Sequence, residues 1–290
     1  MSKRADRLTA IRDRLSKANQ GGGSYWKPKP GDNHIRILEP VGDMGLEWIN
    51  VGQHFLSQGE VHVCPKFTLE QRCPICELVS ELYAQGDDAS KQTARKIQMS
   101  KSFWMNIIDR NNEMAGVQIF RAPKTVLDYI AALVTDPSYN DFEQEHFVFD
   151  AESGRDVNVK RVGTTMTDTK YSVVPAAKDT PLSKDAAQMD QWLEQAMDLN
   201  PVLLTEDPTE DAQFTHDDQG RLMCPVAVEP YDRLKRAVEG RSFEDALEPE
   251  TVEQEGSDLP FPEDEEPDEV DEAIKARRRP SAARTRRSRR

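Results

Sequence analysis

Long apolar runs are missing from this 290-residue chain. No stretch approaches the roughly 18 consecutive apolar residues that a membrane-spanning helix needs. Met1–Ala10 also lacks the apolar core of a secretory signal. A membrane-spanning or exported protein is therefore not expected. Hydrophobic residues are scarce, 37% against 31% charged, which is lean for a chain packed from end to end. Part of the sequence is expected to stay unfolded. Cysteine is sparse too. Of four cysteines, three crowd together at Cys64, Cys73 and Cys76, which argues against a disulfide framework and toward a local site. No internal repeat is visible, so a solenoid is not expected.

Charge of one sign is absent from whole segments. Residues 244–272 hold fifteen acids and no Lys or Arg, and residues 274–290 hold nine bases and no acid. Residues 1–20 carry a net charge of +4, including Lys3, Arg4 and Arg7, while residues 21–243 carry −12. Blocks of like charge repel themselves, so 244–290 reads as a disordered acidic tail with an Arg-rich tip. Such a polyanion can act as a solubilising appendage, or compete with nucleic acid for a cationic groove and dock partner proteins.

Leu8, Ile11 and Leu15 share one helical face within residues 1–20, and Gly21-Gly22-Gly23-Ser24 then forms a flexible joint. Strand-like segments follow at Leu46–Phe55, Val61–Cys64, Ser102–Asp109, Gly116–Arg121, His146–Phe149, Asp156–Val162 and Tyr171–Val174. Helical spacing predicts helices at Glu77–Gln85 and Lys124–Val134. After Pro181, Trp192, Leu193, Ala196 and Met197 share a face, with Leu234 and Val238 further on. Many short strands and few helices predict a mostly β fold, a Greek-key barrel over 25–180, with a helical annex over 181–243.

The sharpest motif is His54-x9-Cys64-x8-Cys73-x2-Cys76. Two cysteines two residues apart can face one ion, and three thiolates with one imidazole are a common tetrahedral set for structural Zn²⁺. Pro74 stiffens the knuckle, and the helix predicted after Cys76 offers amides that favour thiolate. Either His54 or His62 could be the fourth ligand. His62 lies only two residues before Cys64, a strained bite for one ion, so the spacing favours His54. Zinc deaminases need His-x-Glu ahead of a Pro-Cys-x-x-Cys, and neither histidine here has that Glu. A catalytic metal, and an enzyme, are not expected. Cys224 stands alone and reads as a buried thiol.

Unpaired nucleic acid is held by cations for its phosphates and aromatic faces for its bases. That mixture recurs at the ends of the predicted strands. Tyr25, Trp26, Lys27 and Lys29 stand at the entrance; Arg95, Lys96, Lys101, Phe103 and Trp104 lead one strand; Phe120, Arg121 and Lys124 close the next. Lys160, Arg161, Lys170 and Tyr171 fall on the last pair. Phe103 and Trp104 are adjacent, so on a strand they face opposite sides, one inward and one outward.

Pro30–Leu38, the His54/Cys64/Cys73/Cys76 set, Lys101–Ile108, Val117–Arg121, Val126–Ile130 and Thr169–Val173 occur in a telling order. In these stretches, over roughly 25–180, the chain resembles the single-stranded DNA-binding (helix-destabilising) proteins of tailed bacteriophages. The resemblance implies an OB-fold core with a small zinc-binding subdomain, working in the cytoplasm of an infected bacterium in replication, recombination and repair. It implies zinc on His54, Cys64, Cys73 and Cys76, and a DNA cleft lined by Phe103, Trp104, Phe120 and Arg121. It further implies cooperative self-contacts through the basic arm and recruitment of replication proteins by the acidic tail. The helical character of the arm and the Arg-rich tip depart from the family pattern. Two other functions compete: a zinc-binding adaptor of the replication or transcription machinery that touches no DNA, and a metal-dependent nuclease. The nuclease lacks a carboxylate cluster near the histidines.

Overall fold

The computed structural model describes residues 25–42, 45–56, 60–141, 146–163, 165, 168–217 and 223–239. The arm, the Gly-rich joint and the charged tail anticipated above lie outside the described residues.

The main sheet contains β1 (Tyr25–Trp26), β2 (Gly31–Ile37), β3 (Ile49–Phe55), β4 (Val61–Val63), β5 (Ser100–Asp109), β6 (Val117–Ala122), β7 (Val157–Val162) and β8 (Lys170–Pro175). A small parallel pair, β9 (Val202–Leu203) and β10 (Ala227–Val228), stands apart. The helices are α1 (Pro65–Thr68), α2 (Pro74–Gln85), α3 (Asp88–Ile97), α4 (Lys124–Thr135), α5 (Ala186–Gln195), α6 (Ala212–Thr215) and α7 (Tyr231–Val238).

β5 is the spine. One edge pairs antiparallel with β6, from Phe103↔Ala122 to Ile108↔Val117. The other edge is shared: Ser100–Trp104 pair with β3, and Ile107–Asp109 pair with β2. The sheet therefore forks, with β2–β7–β8 on one branch and β3–β4 on the other, and β1 adds in parallel to β6. The core is β-rich with helical additions, as the strand pattern anticipated. Where a closed Greek-key barrel was expected, the pairings among the described residues leave the sheet open. The physical reason is that β5 divides one edge between two partners, while α4 rather than another strand packs against β8.

Every residue of β5 except Lys101 is buried. Phe103, Met105 and Ile107 point into the largest apolar cluster with Ile35, Val157, Val159 and Ile130. On the opposite face Trp104 packs with Val51, Leu199 and Val226, and Ile108 with Leu38, Leu182 and Trp192. A strand covered on both sides reads as a nearly unbroken apolar run. Residues beyond 181 thus complete the cover over β5, and Leu234 completes a further cluster around the cysteines.

Polar ties hold this cover in place. Asn106 Nδ2 donates to the Met197 carbonyl at 2.8 Å, and its Oδ1 accepts from the Met197 amide at 3.1 Å. Replacing Asn106 by Ala would orphan both backbone groups. We expect a loss of about 1–3 kcal/mol of unfolding free energy in a denaturant titration. Arg36, almost wholly buried, holds Asp156 at 2.8 Å and the Thr180 carbonyl at 2.6 Å, and Arg110 grips both oxygens of Asp156. These contacts fasten the 150–182 segment to the sheet.

Two local expectations are corrected, and one helix, α3, was not anticipated. His146–Phe149 forms no strand; His146 makes only an isolated bridge to Asp141, and Val148 and Phe149 are apolar because that turn is buried. The helix expected from Glu77 begins at Pro74, which occupies the first turn where a missing N–H costs nothing. α3 carried no apolar stripe to betray it. It buries only Ala94 and Ile97, and starts on Asp87, whose carboxylate accepts from the Ser90 amide at 2.8 Å.

Candidate functional site

β3 and β4 run antiparallel with His54 opposite His62. Just past β4, the Cys64 amide donates to the Gly52 carbonyl at 2.7 Å, returning the chain over β3. That approach requires a glycine: a Cβ at residue 52 would meet Cys64 Cβ at 3.0 Å and Met99 Sδ at 2.5 Å. Cys73 caps α2 and Cys76 lies in its first turn, where the helix N-terminus favours thiolate.

These three elements bring four donors together. One N or S atom from each of His54, Cys64, Cys73 and Cys76 lies within 4.8 Å of the others. Cys73 Sγ is 3.4 Å and Cys76 Sγ 3.5 Å from His54 Nε2, and Cys64 Sγ is 3.5 Å from Cys76 Sγ. Sulfurs bound tetrahedrally to zinc stand about 3.8 Å apart, given Zn–S bonds of about 2.3 Å. His54 Nδ1 lies 2.8 Å from the Ile97 carbonyl, which can only accept, so Nδ1 carries the proton and Nε2 presents its lone pair to the sulfurs. His62 is engaged elsewhere: Nδ1 contacts the Glu229 carboxylate, and Nε2 lies 3.8 Å from Glu60. Geometry thus joins His54, not His62, to the thiols.

The sulfur chemistry agrees with a cation site. Hydrogen bonds from Cys73 and Cys76 hold the Cys64 thiol far below its ordinary value, while the nearby Cys64 and Cys73 sulfurs push Cys76 up. Cys64 and Cys76, 3.5 Å apart, cannot both ionise readily without a compensating positive charge nearby. The residues present can hold one metal ion. Cys224 is outside this group; it is buried, and its Sγ donates to the Asn200 carbonyl at 3.1 Å.

The residues singled out for nucleic acid divide by burial. Trp26, Phe103, Trp104 and Phe120 are core residues, between 1% and 7% exposed. Trp26 Nε1 donates to Asp109 at 3.1 Å and its ring meets Phe120 edge-on. Their faces are turned into the packing on either side of β5 and β6, because both faces of those strands are covered. The outward face expected of one ring in the Phe103–Trp104 pair does not exist.

The cations are outside. Lys27, Lys29, Lys160 and Lys170 are exposed. The register sets Arg161 beside Gly31 and Tyr171, and Val162 beside Lys170. Arg161 also donates to the Pro28 carbonyl at 3.2 Å, which draws the Lys27–Lys29 segment to the end of the β7–β8 hairpin. A second group surrounds the start of β5: exposed Arg95 and Lys96 at the end of α3, Lys101 on the strand, and Lys124 at the start of α4. Lys124 pairs with Asp128 at 3.1 Å, an exposed i,i+4 bridge of little strength. Arg121 lies between Tyr25 and Trp104, its guanidinium 3.5 Å and 4.4 Å from the ring centroids. Lys3, Arg4 and Arg7 lie outside the described residues.

Other rings reach the surface: Tyr83, Tyr129, Phe147 and Phe214 are exposed. Tyr171, Trp48, Tyr139 and Phe67 are partly buried against the main cluster, and of these four only Tyr171 is among the residues singled out from sequence. Phe67 is an aromatic beside a base, Lys66-Phe67, inside the cysteine loop, and is not among the residues singled out from sequence.

No helix among the described residues is long and apolar enough to cross a membrane. A search of curated proteins finds no match to the chain. A family model described as gp32 DNA binding protein like matches residues 29–217, a span that contains the four metal donors, the whole of β2 to β8 and most of the exposed cations. The chain belongs to the gp32-like DNA-binding proteins, the phage single-stranded DNA-binding family that its motifs resemble.

Proposed function

We propose that the protein binds and coats single-stranded DNA with little sequence preference and catalyses no reaction. The observation that carries this reading is the family match over residues 29–217, laid on a sheet whose exposed positions include Lys101, Lys160 and Lys170. Phosphates would be met by Lys27, Lys29 and Lys170 at the β7–β8 end, with Tyr171 beside them, and by Arg95, Lys96, Lys101, Lys124 and Arg121 around β5. Trp26, Phe103, Trp104 and Phe120 serve as the packed floor beneath these positions. Segment 25–180 forms the binding core, and 181–243 is the annex that covers it.

His54, Cys64, Cys73 and Cys76 would hold one Zn²⁺, for which three thiolates and an imidazole are a suitable set. Four protein donors fill a tetrahedral sphere and leave no position for water, so the ion's contribution is structural. Residues 1–20, with Lys3, Arg4 and Arg7, mediate contacts between neighbouring copies on the strand. The acidic 244–272 segment recruits replication, recombination and repair proteins in the host cytoplasm.

A gel-shift titration with oligo-dT and with a duplex of equal length tests the reading. The single strand should be retained at protein concentrations at least tenfold lower than the duplex. No shift of either would favour an adaptor without DNA contact, and equal retention would deny the preference for unpaired bases.

A further inference from the structure

We infer that Phe67 is a base-stacking residue supplied by the metal-binding segment, with Lys101 as the phosphate contact beside it. The inference deepens the single-stranded DNA reading and rests on it.

Phe67 occupies an unusual position. Its ring packs both against the main sheet cluster and against the cluster that contains Cys64 and Cys73. The backbone around it is pinned on two sides. The Thr68 amide donates to the Cys64 carbonyl at 3.1 Å, and Thr68 Oγ1 accepts from the Gly52 amide at 3.1 Å. Pro65 at the start of α1 stiffens the step between the metal ligand and the ring. Phe103, itself buried, meets the ring edge-on at 6.2 Å and 74°. The ring is thereby held from the side and is only partly buried.

The neighbour over the ring is a cation. Lys101 Nζ sits 5.6 Å from the ring centroid, and Lys101 is the single exposed residue of an otherwise buried strand. Among the described residues no carboxylate pairs with it. At 5.6 Å, close to the limit of about 6 Å for such contacts, the ammonium is held weakly, whereas a base stacked on an aromatic ring gains about 1–3 kcal/mol. A base can therefore displace the ammonium, which remains within reach of the adjoining phosphate. One cation and one rigid face, side by side, form the minimal unit that holds a nucleotide without reading its identity. The metal-binding segment then touches the strand directly as well as stiffening the fold.

The test uses the metal-loaded full chain, Phe67→Leu and Lys101→Gln, titrated with oligo-dT at several salt concentrations. Phe67→Leu should weaken binding about tenfold and leave the salt slope unchanged. Lys101→Gln should reduce the slope by about 0.7. Wild-type affinity in Phe67→Leu overturns the inference and leaves the broader reading intact; failure of the wild type to bind overturns the broader reading itself. Should Phe67→Leu melt well below the wild type, ultraviolet cross-linking of the unmodified protein to oligo-dT decides. A nucleotide adduct on the 65–71 peptide supports the assignment, and adducts confined to other segments refute it.

Discussion

Stripping the metal with a chelator, or replacing Cys73 by Ser, should lower the melting temperature by about 8–16 °C and weaken DNA binding in the same step. The size follows from what the four donors hold together. A structural zinc contributes about 10–16 kcal/mol to folding in isolated zinc-finger peptides. Here the surrounding cluster of Leu56, Ile75, Ile97 and Leu234 retains part of that organisation. A residual loss of about 4 kcal/mol corresponds to the stated shift for a domain of this size. The loss is local in origin but spreads along the chain. His54 belongs to β3, Cys64 fixes the return past Gly52, and Cys73 starts the helix against which α7 packs. Circular dichroism melts with and without chelator, alongside metal analysis of the purified protein, measure it. A metal-free preparation that melts at the same temperature as the loaded one would remove zinc from the account.

Much of this site was readable before any coordinates. Three cysteines and a histidine at these spacings have few other uses in a chain this poor in cysteine, and the antiparallel pairing of β3 with β4 returns them to one point. The histidine itself was harder. His54 and His62 sit opposite each other on paired strands, and only the Ile97 carbonyl, forty-three positions away, fixes which imidazole presents Nε2 to the sulfurs. The DNA-facing residues were less legible, for a reason of packing. Alternation along β5 correctly sends Phe103 and Trp104 to opposite faces. It cannot reveal that the second face is roofed by Leu199 and Val226, 95 and 122 residues after Trp104. Exposure at a strand position depends on what the rest of the chain lays over it, and a periodicity of two carries no such information. Lysine is the more dependable marker, because its ammonium is almost never buried alone. Lys27, Lys29, Lys101 and Lys170 accordingly stand exposed.

Those cations set the other large effect. Affinity for oligo-dT should fall about 300-fold between roughly 50 and 200 mM monovalent salt, if about six phosphates are neutralised at about 0.7 counterions each. The body from 21 to 243 carries a net charge of −12, which at first sight opposes any polyanion. Distance decides the matter. Charges separated by more than about 7–14 Å are largely screened from one another over this range of ionic strength. A phosphate beside Lys170 or Lys101 therefore responds to the nearby ammonium far more than to carboxylates on distant surfaces. Raising the salt acts twice, weakening the direct attraction and removing the entropy gained when counterions leave the strand, so the decline should be linear in a double-logarithmic plot. Fluorescence anisotropy titrations with labelled oligo-dT at four or more salt concentrations give the slope. A value near −4 matches phosphate contacts from the two groups of exposed cations. A slope near zero would mean that whatever holds the strand is not the charge on this surface.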